Sequence, residues 1–242
     1  MNCIILLQVM FKVAIVGHSQ VPHRFDGEVE NSEVRIYRSR GARARNFFND
    51  GRLNQVLSWN HDLTILWIGS NDISPTTQPR QLTDVILNIG KVIEQNCSSK
   101  VILVEVENRL YPSYRPVIAN ERYKKIKRAV NTGLLRSRQF LCINFNSLVF
   151  TLGRDGVHFV NAKALIQQKL EMNIRQTRER QLSANQENRG RYNEVYGGKT
   201  GCHVFENRGT RKFGGKGRSH DSKRSIPCCL SIRADAKSNS SL

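Results

Sequence analysis

Asp155 and His158 are the first residues of this sequence whose types and spacing could do chemistry. They enclose the stretch Asp-Gly-Val-His, a spacing that lets a carboxylate hold an imidazole in the tautomer that accepts a proton. Far upstream, Ser19 follows Gly17 and His18 directly after an apolar run, and its hydroxyl could be the nucleophile that such a pair activates. Together, these residues point to hydrolytic chemistry.

A second polar group follows another apolar run and contains Asn71 and Asp72. The Asn71 amide could donate a hydrogen bond to a developing oxyanion, and loss of such a donor costs about 10²–10³ in kcat in other hydrolases. Either residue could instead form an Asx turn or cap the segment that follows. Gly41 is a third candidate, because its backbone N–H would lie at the start of a predicted helix, where unpaired donors favour negative charge.

The catalytic candidates also have structural alternatives. Gly-x-Ser is common in loops, so Ser19 could simply cap a turn. Asp155 could belong to a surface turn and cap the helix after it. The groups are more informative together than singly, because sites in open parallel sheets form beyond the carboxyl ends of the strands.

Five short apolar runs predict the strands that position these groups. They are nearly continuous, which is typical of strands covered on both faces. The predicted strands are Val13–Val16, Val34–Tyr37, Leu63–Ile68, Val101–Val106 and Phe140–Phe145.

Longer amphipathic stretches between the runs predict helices over Ala42–Leu57, Gln81–Glu94, Asn120–Leu135 and Asn161–Met172, the last with Asn161 as its cap. Regular alternation of strands and helices predicts an α/β fold, in which helices flank a parallel sheet on both sides.

The composition changes after about residue 172. The net charge of +18 divides into +9 over residues 1–172 and +9 over residues 173–242. Apolar residues are sparse in the second segment, so we expect it to be disordered. Its basic density favours nonspecific contact with a polyanion such as nucleic acid, and a solvated extension without a partner is the alternative.

Residues 1–10 predict either an N-terminal extension or the start of the first strand. They lack a basic n-region and a small-residue cleavage site, so a signal segment, and with it secretion, is the alternative. The six cysteines form no C-x-x-C pair, which favours reduced thiols and an intracellular location. No apolar run approaches the length of a membrane span.

The blocks around Ser19, Gly41, Asn71 and His158 resemble, in this order, those of the SGNH, or GDSL-type, hydrolase superfamily over roughly residues 11–172. The resemblance implies a flavodoxin-like, three-layer α/β/α fold with a parallel sheet of about five strands. It implies an enzyme that needs no metal or organic cofactor.

The resemblance also implies a role for each site residue. Ser19 would be the nucleophile, His158 the general base and then acid, and Asp155 the residue that orients His158. The oxyanion hole would consist of the backbone N–H groups of Ser19 and Gly41 and the side chain of Asn71.

The first block departs from the family pattern, since it reads Gly-His-Ser-Gln where the family has Gly-Asp-Ser-Leu. His18 removes a carboxylate that usually helps to shape the nucleophile loop, and its imidazole could compete for Ser19. Gly27 and Gly51 are alternatives to Gly41.

Two functions follow. The leading hypothesis is a serine hydrolase that cleaves a small carboxylic ester, such as an acetyl ester, through an acyl-enzyme on Ser19. The alternative is a catalytically weak SGNH-like domain that acts as a nucleic-acid-associated module through residues 173–242, of a kind also found in retroelement-encoded proteins.

Two further features of the sequence concern the surroundings of the site. The loops Ser74–Gln81 and Arg109–Asn120 follow predicted strands, so we expect them to form the walls of the site. Four arginines near the expected oxyanion region could either favour anionic substrates or belong to a solvated helix start; they are Arg38, Arg40, Arg43 and Arg45.

Overall fold

The structure is a computed structural model that describes residues 10–25, 29–111, 118–145, 148, 151–160 and 162–196, with the backbone alone over residues 188–196. These residues belong to one compact unit, residues 1–198. Residues 1–9 and 197–242 lie outside the described residues, so the N-terminal extension and the disorder of residues 197–242 stay predictions. The predicted disorder of residues 173–196 is wrong, because these residues form part of a helix. None of the helices in the described ranges combines the length and the apolar composition needed to cross a membrane.

Five parallel strands form the central sheet, in the order β2-β1-β3-β4-β5. Each coincides with one of the predicted apolar runs, which confirms the predicted sheet. The strands are β1 Phe11–Gly17, β2 Ser32–Arg38, β3 Leu63–Trp67, β4 Lys100–Val104 and β5 Leu141–Ile143.

Different helices cover the two faces of the sheet, because successive strand side chains point to opposite faces. One face packs against α1 (Arg52–Leu57), α2 (Pro79–Cys97) and α3 (Asn120–Ser137). The other packs against α4 (Lys163–Tyr196) through its buried apolar residues. The predicted three-layer α/β/α architecture is therefore confirmed.

The predicted helix over Ala42–Leu57 is wrong. A short 3₁₀ turn, Ala44–Asn46, is followed by α1, and Gly51 lies between them with φ = +76°. This left-handed conformation interrupts a right-handed helix. Gly51 therefore marks the start of α1, and exposed Arg43 and Arg45 lie at the start of the short 3₁₀ turn before it.

The predicted end of the last helix at Met172 is also wrong, because α4 continues to Tyr196. Ile174 is fully buried and Thr177 nearly so, hence the helix keeps contact with the core beyond the predicted boundary. Asn161, the predicted cap, lies outside the described residues.

A small antiparallel hairpin precedes α4 and has no counterpart among the predicted elements. Its strands, β6 (Thr151–Leu152) and β7 (Phe159–Val160), are only two residues long. Strands this short carry no periodic pattern that a sequence could reveal. The hairpin encloses the turn that carries Asp155 and His158.

Candidate active site

Ser19 lies in the loop that leaves the carboxyl end of β1. Gly17 ends the strand, and a Cβ atom at this position would collide with the carbonyl oxygen of Trp67 on neighbouring β3. The loop turns tightly, since the Val21 N–H donates to the His18 carbonyl at 3.1 Å. The absence of a side chain at Gly17 thus lets the Ser19 loop pass close over β3.

Asp155 and His158 are held in the turn of the β6–β7 hairpin. The Gly153 N–H donates to the His158 carbonyl at 2.7 Å. The Asp155 Oδ1 atom accepts the backbone N–H groups of Val157 and His158, each at 3.0 Å. Gly156 has φ = +63°, and a Cβ atom there would overlap the carbonyl of Leu110, so the turn requires glycine.

The structure brings Ser19, His158 and Asp155 into one line of hydrogen bonds. The Ser19 Oγ lies 2.9 Å from His158 Nε2, and His158 Nδ1 lies 2.5 Å from Asp155 Oδ2. The side chains of His158 and Asp155 are 48% and 51% exposed, so water and substrate can reach them. This arrangement can move a proton from the serine hydroxyl to the imidazole.

The charge state of Asp155 fits that arrangement. Partial burial raises the pKa of its carboxyl, but the hydrogen bonds from the His158 ring and from two backbone N–H groups outweigh this and lower the pKa to about 2. An ionised carboxylate accepts the proton on Nδ1, which leaves Nε2 of His158 free to accept from Ser19.

Asn71 has a fixed amide orientation. Its Nδ2 donates to the Ala42 carbonyl at 2.9 Å, and its Oδ1 accepts from Arg109 Nη2 at 3.0 Å. The amide nitrogen carries a second N–H. Asn71 and Gly41 line the same cleft of about 400 Å³, so the two predicted oxyanion donors are brought together.

Asp72 joins the Asn71 loop to the Gly41 segment. It is buried, and its carboxylate accepts the backbone N–H groups of Ala44 at 2.7 Å and Arg45 at 3.3 Å. Asp72 thus caps a turn nearly thirty residues upstream, whereas the sequence offered Asn71 or Asp72 as a cap for the segment that follows. Of the alternatives to Gly41, Gly51 begins α1 and Gly27 lies outside the described residues.

His18 does not compete for Ser19, contrary to one expectation from the sequence. Its ring is fully buried, and Nδ1 accepts the backbone N–H of Gln20 at 3.3 Å. Nε2 faces Glu107 Oε1 at 3.2 Å and Ser70 Oγ at 3.1 Å. Both ring nitrogens therefore have partners in the interior.

Glu107 and Arg109 complete a buried polar cluster that the sequence analysis missed. Burial would raise the pKa of Glu107, but contacts with His18 and Arg109 hold it well below its usual range. Arg109 Nη2 lies 3.5 Å from Glu107 Oε1 and donates to Ser70 Oγ at 2.6 Å. The available signal was the alternation of charged residues directly after β4, in Glu-Val-Glu-Asn-Arg.

Two arginines near the site have structural partners. Arg38 Nη2 donates to the carbonyl of Ser19 at 2.9 Å, and Arg45 Nη2 donates to the carbonyl of Asp72 at 2.9 Å. Arg43 is exposed and lines the cleft beside Gly41. The cleft therefore carries a cationic rim.

The two predicted walls have different outcomes. Ser74, at the start of the loop Ser74–Gln81, lines the cleft, which agrees with the prediction. Tyr111 lines it from the second loop, but residues 112–117 of that loop lie outside the described residues. Among the described side chains, no group of three or more His, Cys, Asp and Glu is placed to hold a metal ion.

No protein-family model and no curated protein matches the chain. Solved structures do. A GDSL-like lipase from Bacteroides thetaiotaomicron superposes with a TM-score of 0.54 at 16% identity, over 70% of this chain and 89% of that protein. The aryl esterase of M. smegmatis superposes with a TM-score of 0.53 at 16% identity, over 70% of this chain and 99% of that one.

A Bacillus subtilis protein is 20% identical over 57% of this chain, with a TM-score of 0.45, and this chain spans 44% of its length. The superpositions cover 89% of the lipase and 99% of the esterase. The chain therefore has the three-layer α/β fold of the SGNH, or GDSL-type, hydrolases.

Proposed function

We propose that this protein is a serine hydrolase that cleaves a small carboxylic ester, such as an acetyl ester, through an acyl-enzyme on Ser19. The observation that carries the proposal is the continuous hydrogen-bonded line from Ser19 Oγ through His158 to Asp155. A GDSL-like lipase and an aryl esterase share the fold, which supports ester hydrolysis as the reaction class.

Acylation begins when Ser19 Oγ attacks the ester carbonyl carbon and its proton passes to His158 Nε2. Asp155 stabilises the imidazolium that forms. The carbonyl π electrons move to the oxygen, giving a tetrahedral oxyanion. When the C–O bond to the alcohol breaks, the proton on Nε2 goes to the leaving oxygen, and the acyl group remains on Ser19.

Deacylation repeats these steps with water. His158 Nε2 takes a proton from the water molecule as its oxygen attacks the acyl carbon. Collapse of the second tetrahedral intermediate breaks the bond to Ser19 Oγ, which regains its proton from His158. The products are the carboxylic acid and the free enzyme.

The oxyanion in both intermediates is stabilised by the N–H groups of Ser19 and Gly41 and by the second amide N–H of Asn71. Support comes from the shared cleft of Gly41 and Asn71, and from the hydrogen bond that ties Asn71 to Ala42, the neighbour of Gly41. Donors fixed in advance lower the barrier because they need no reorganisation as charge develops.

The cationic rim of the cleft favours esters that carry a negative charge close to the scissile bond. Arg43 is exposed on this rim, and Arg38 contacts the backbone of Ser19 itself. An anionic group on the substrate would be attracted to both guanidinium groups.

Nucleic-acid binding through residues 173–242 stays an alternative prediction. The helix α4 contributes Ile174 to the core, so a tail deletion that tests it has to begin after residue 196. Salt-dependent affinity that disappears with this deletion would support a basic tail as the contact.

The proposal is tested by labelling purified protein with a fluorophosphonate probe and by measuring hydrolysis of p-nitrophenyl acetate. Wild type is compared with Ser19→Ala and His158→Ala, and with Ser183→Ala as a control at an exposed serine on α4. We expect labelling and turnover in wild type and the control, and loss of both in the two site variants. Turnover that persists in Ser19→Ala would overturn the assignment.

A further inference from the structure

We propose that Gln20 is a positioning residue that holds His158 at hydrogen-bonding distance from Ser19. This inference rests on the proposed function, because it concerns the same nucleophile and base. Gln20 directly follows Ser19 and is only 8% exposed, so its polar amide is buried at the centre of the site. A buried amide needs hydrogen-bond partners, and the partners of Gln20 lie on the opposite loop.

The Gln20 side chain contacts the backbone on both sides of His158. Its Nε2 donates to the carbonyl of Val157, and its Oε1 accepts the N–H of Phe159 at 3.4 Å. The Gln20 amide thus hydrogen-bonds to the backbone of the residue before His158 and of the residue after it. Two hydrogen bonds from one planar group fix both position and rotation of the segment between them.

The hydrogen bonds within the hairpin cannot supply this constraint. Asp155 and Gly153 hold His158 relative to its own turn, and all of these residues move together with the hairpin. The separation of His158 from Ser19 depends on contacts between the two loops. Gln20 provides such contacts from the position next to the nucleophile.

Gln20 is itself anchored to the interior. Its backbone N–H donates to His18 Nδ1, and the His18 ring is in turn held by Glu107 and Ser70. The Leu of the Gly-Asp-Ser-Leu pattern would offer neither hydrogen bond at this position. The buried cluster therefore fixes the nucleophile loop from the protein interior, and the Gln20 side chain holds His158 relative to that loop.

The test is Gln20→Met, which keeps the length and volume of the side chain but removes both hydrogen bonds. Gln176→Met, at an exposed glutamine on α4, is the matched control. Rates of fluorophosphonate labelling, kcat and KM for p-nitrophenyl acetate, and hydrogen exchange of the Phe159 amide are measured in the full chain. Thermal unfolding shows whether each variant is folded. If Gln20→Met does not fold, Gln20→Asn takes its place, because its amide is one methylene too short to reach both partners.

For Gln20→Met we expect labelling and kcat to fall by about 10-fold to 100-fold, as displacement of a catalytic group by about 1 Å does elsewhere. We expect KM within about twofold of wild type, because the amide does not contact substrate, and faster exchange of the Phe159 amide. The control should match wild type in the labelling rate, kcat, KM and the exchange rate of the Phe159 amide.

The outcomes separate the two proposals. Labelling and kcat equal to wild type in Gln20→Met, or an unchanged exchange rate of the Phe159 amide, would overturn the role of Gln20. A wild type that is never labelled at Ser19 would overturn the proposed function. In that case the hydrogen-exchange comparison still decides whether Gln20 holds the hairpin.

Discussion

His18 Nε2 lies 3.2 Å from Glu107 Oε1, and both side chains are fully buried. This contact explains how the chain accommodates a buried histidine directly before Ser19. A carboxylate from the loop after β4 meets an imidazole that points inward. Arg109 joins the same carboxylate and also reaches Asn71, so one buried cluster contacts both the nucleophile loop and the Asn71 loop.

Glu107→Gln should destabilise the protein by about 3–5 kcal/mol at pH 7, because loss of one charge leaves Arg109 buried without its counter-charge. The carboxyl pKa is depressed in the folded state, so its contribution is complete above the unfolded value of 4.5 and declines as the pH falls below it. Denaturant unfolding at pH 7 and pH 4 measures both effects.

The control for this experiment is Glu121→Gln, at a fully exposed carboxylate on α3. Its free energy of unfolding should stay close to that of wild type. A Glu107→Gln protein as stable as this control at pH 7 would show that the cluster does not depend on the buried charge.

Arg109→Lys should lower kcat by about 10-fold with little change in KM, since the donor that fixes the Asn71 amide is lost while the charge remains. Asn71→Ala alone should cost about 10²–10³ in kcat. In that background, Arg109→Lys should have almost no further effect, because its target is gone. Additive losses in this double-mutant cycle would mean that Arg109 acts by another route.

The sequence predicted the features whose causes are local. The strand runs are nearly continuous in apolar residues, which identified them as strands. Asp155 and His158 lie three residues apart in one turn, so their pairing could be predicted directly. The partners of His18 and Gln20 could not be predicted, because they are distant in the sequence. The loop after β4 contacts His18, and the turn of the hairpin contacts Gln20, only once the chain has folded. The interruption of the predicted helix Ala42–Leu57 was missed because the left-handed conformation of Gly51 does not alter the spacing of the apolar residues.

Protonation of the Asp155 carboxyl should make no contribution to the acid limb of kcat/KM above about pH 4. The pKa of this carboxyl is lowered to about 2, so it loses its charge only when the pH falls well below 4. Above about pH 4, a plot of log kcat/KM against pH should therefore be no steeper than a slope of one. A slope of two would mean that a second group, such as Asp155, is protonated in the same range.

Asp155→Asn should lower kcat by about 10²–10⁴, because the amide no longer fixes the tautomer of His158 that accepts from Ser19. The variant should remain folded, since half of this side chain is exposed. Steady-state kinetics with p-nitrophenyl acetate measure the loss. A reduction of less than about threefold would contradict an orienting role for the carboxylate.

Arg43→Gln should reduce the preference for anionic esters. The measurement is the ratio of kcat/KM for 4-acetoxybenzoate to that for phenyl acetate, two esters with the same acyl group and different charge. We expect this ratio to fall about twofold to fivefold in Arg43→Gln, which is the effect expected from removing one exposed charge. In wild type, the ratio should fall when salt is added, because salt screens the charge. Arg136→Gln, at an exposed arginine on α3, is the control, and an equal fall in both variants would exclude a local effect.

Ile174→Ala should destabilise the full chain by about 2–5 kcal/mol, because the side chain is fully buried against the sheet with Leu170. The residue lies beyond Met172, where the apolar pattern alone would end the folded part. Leu182→Ala, farther along α4 at a half-exposed position, should cost less than about 1 kcal/mol. Urea unfolding compares the two, and a cost for Ile174→Ala below about 1 kcal/mol would mean that α4 does not pack on the sheet beyond Met172.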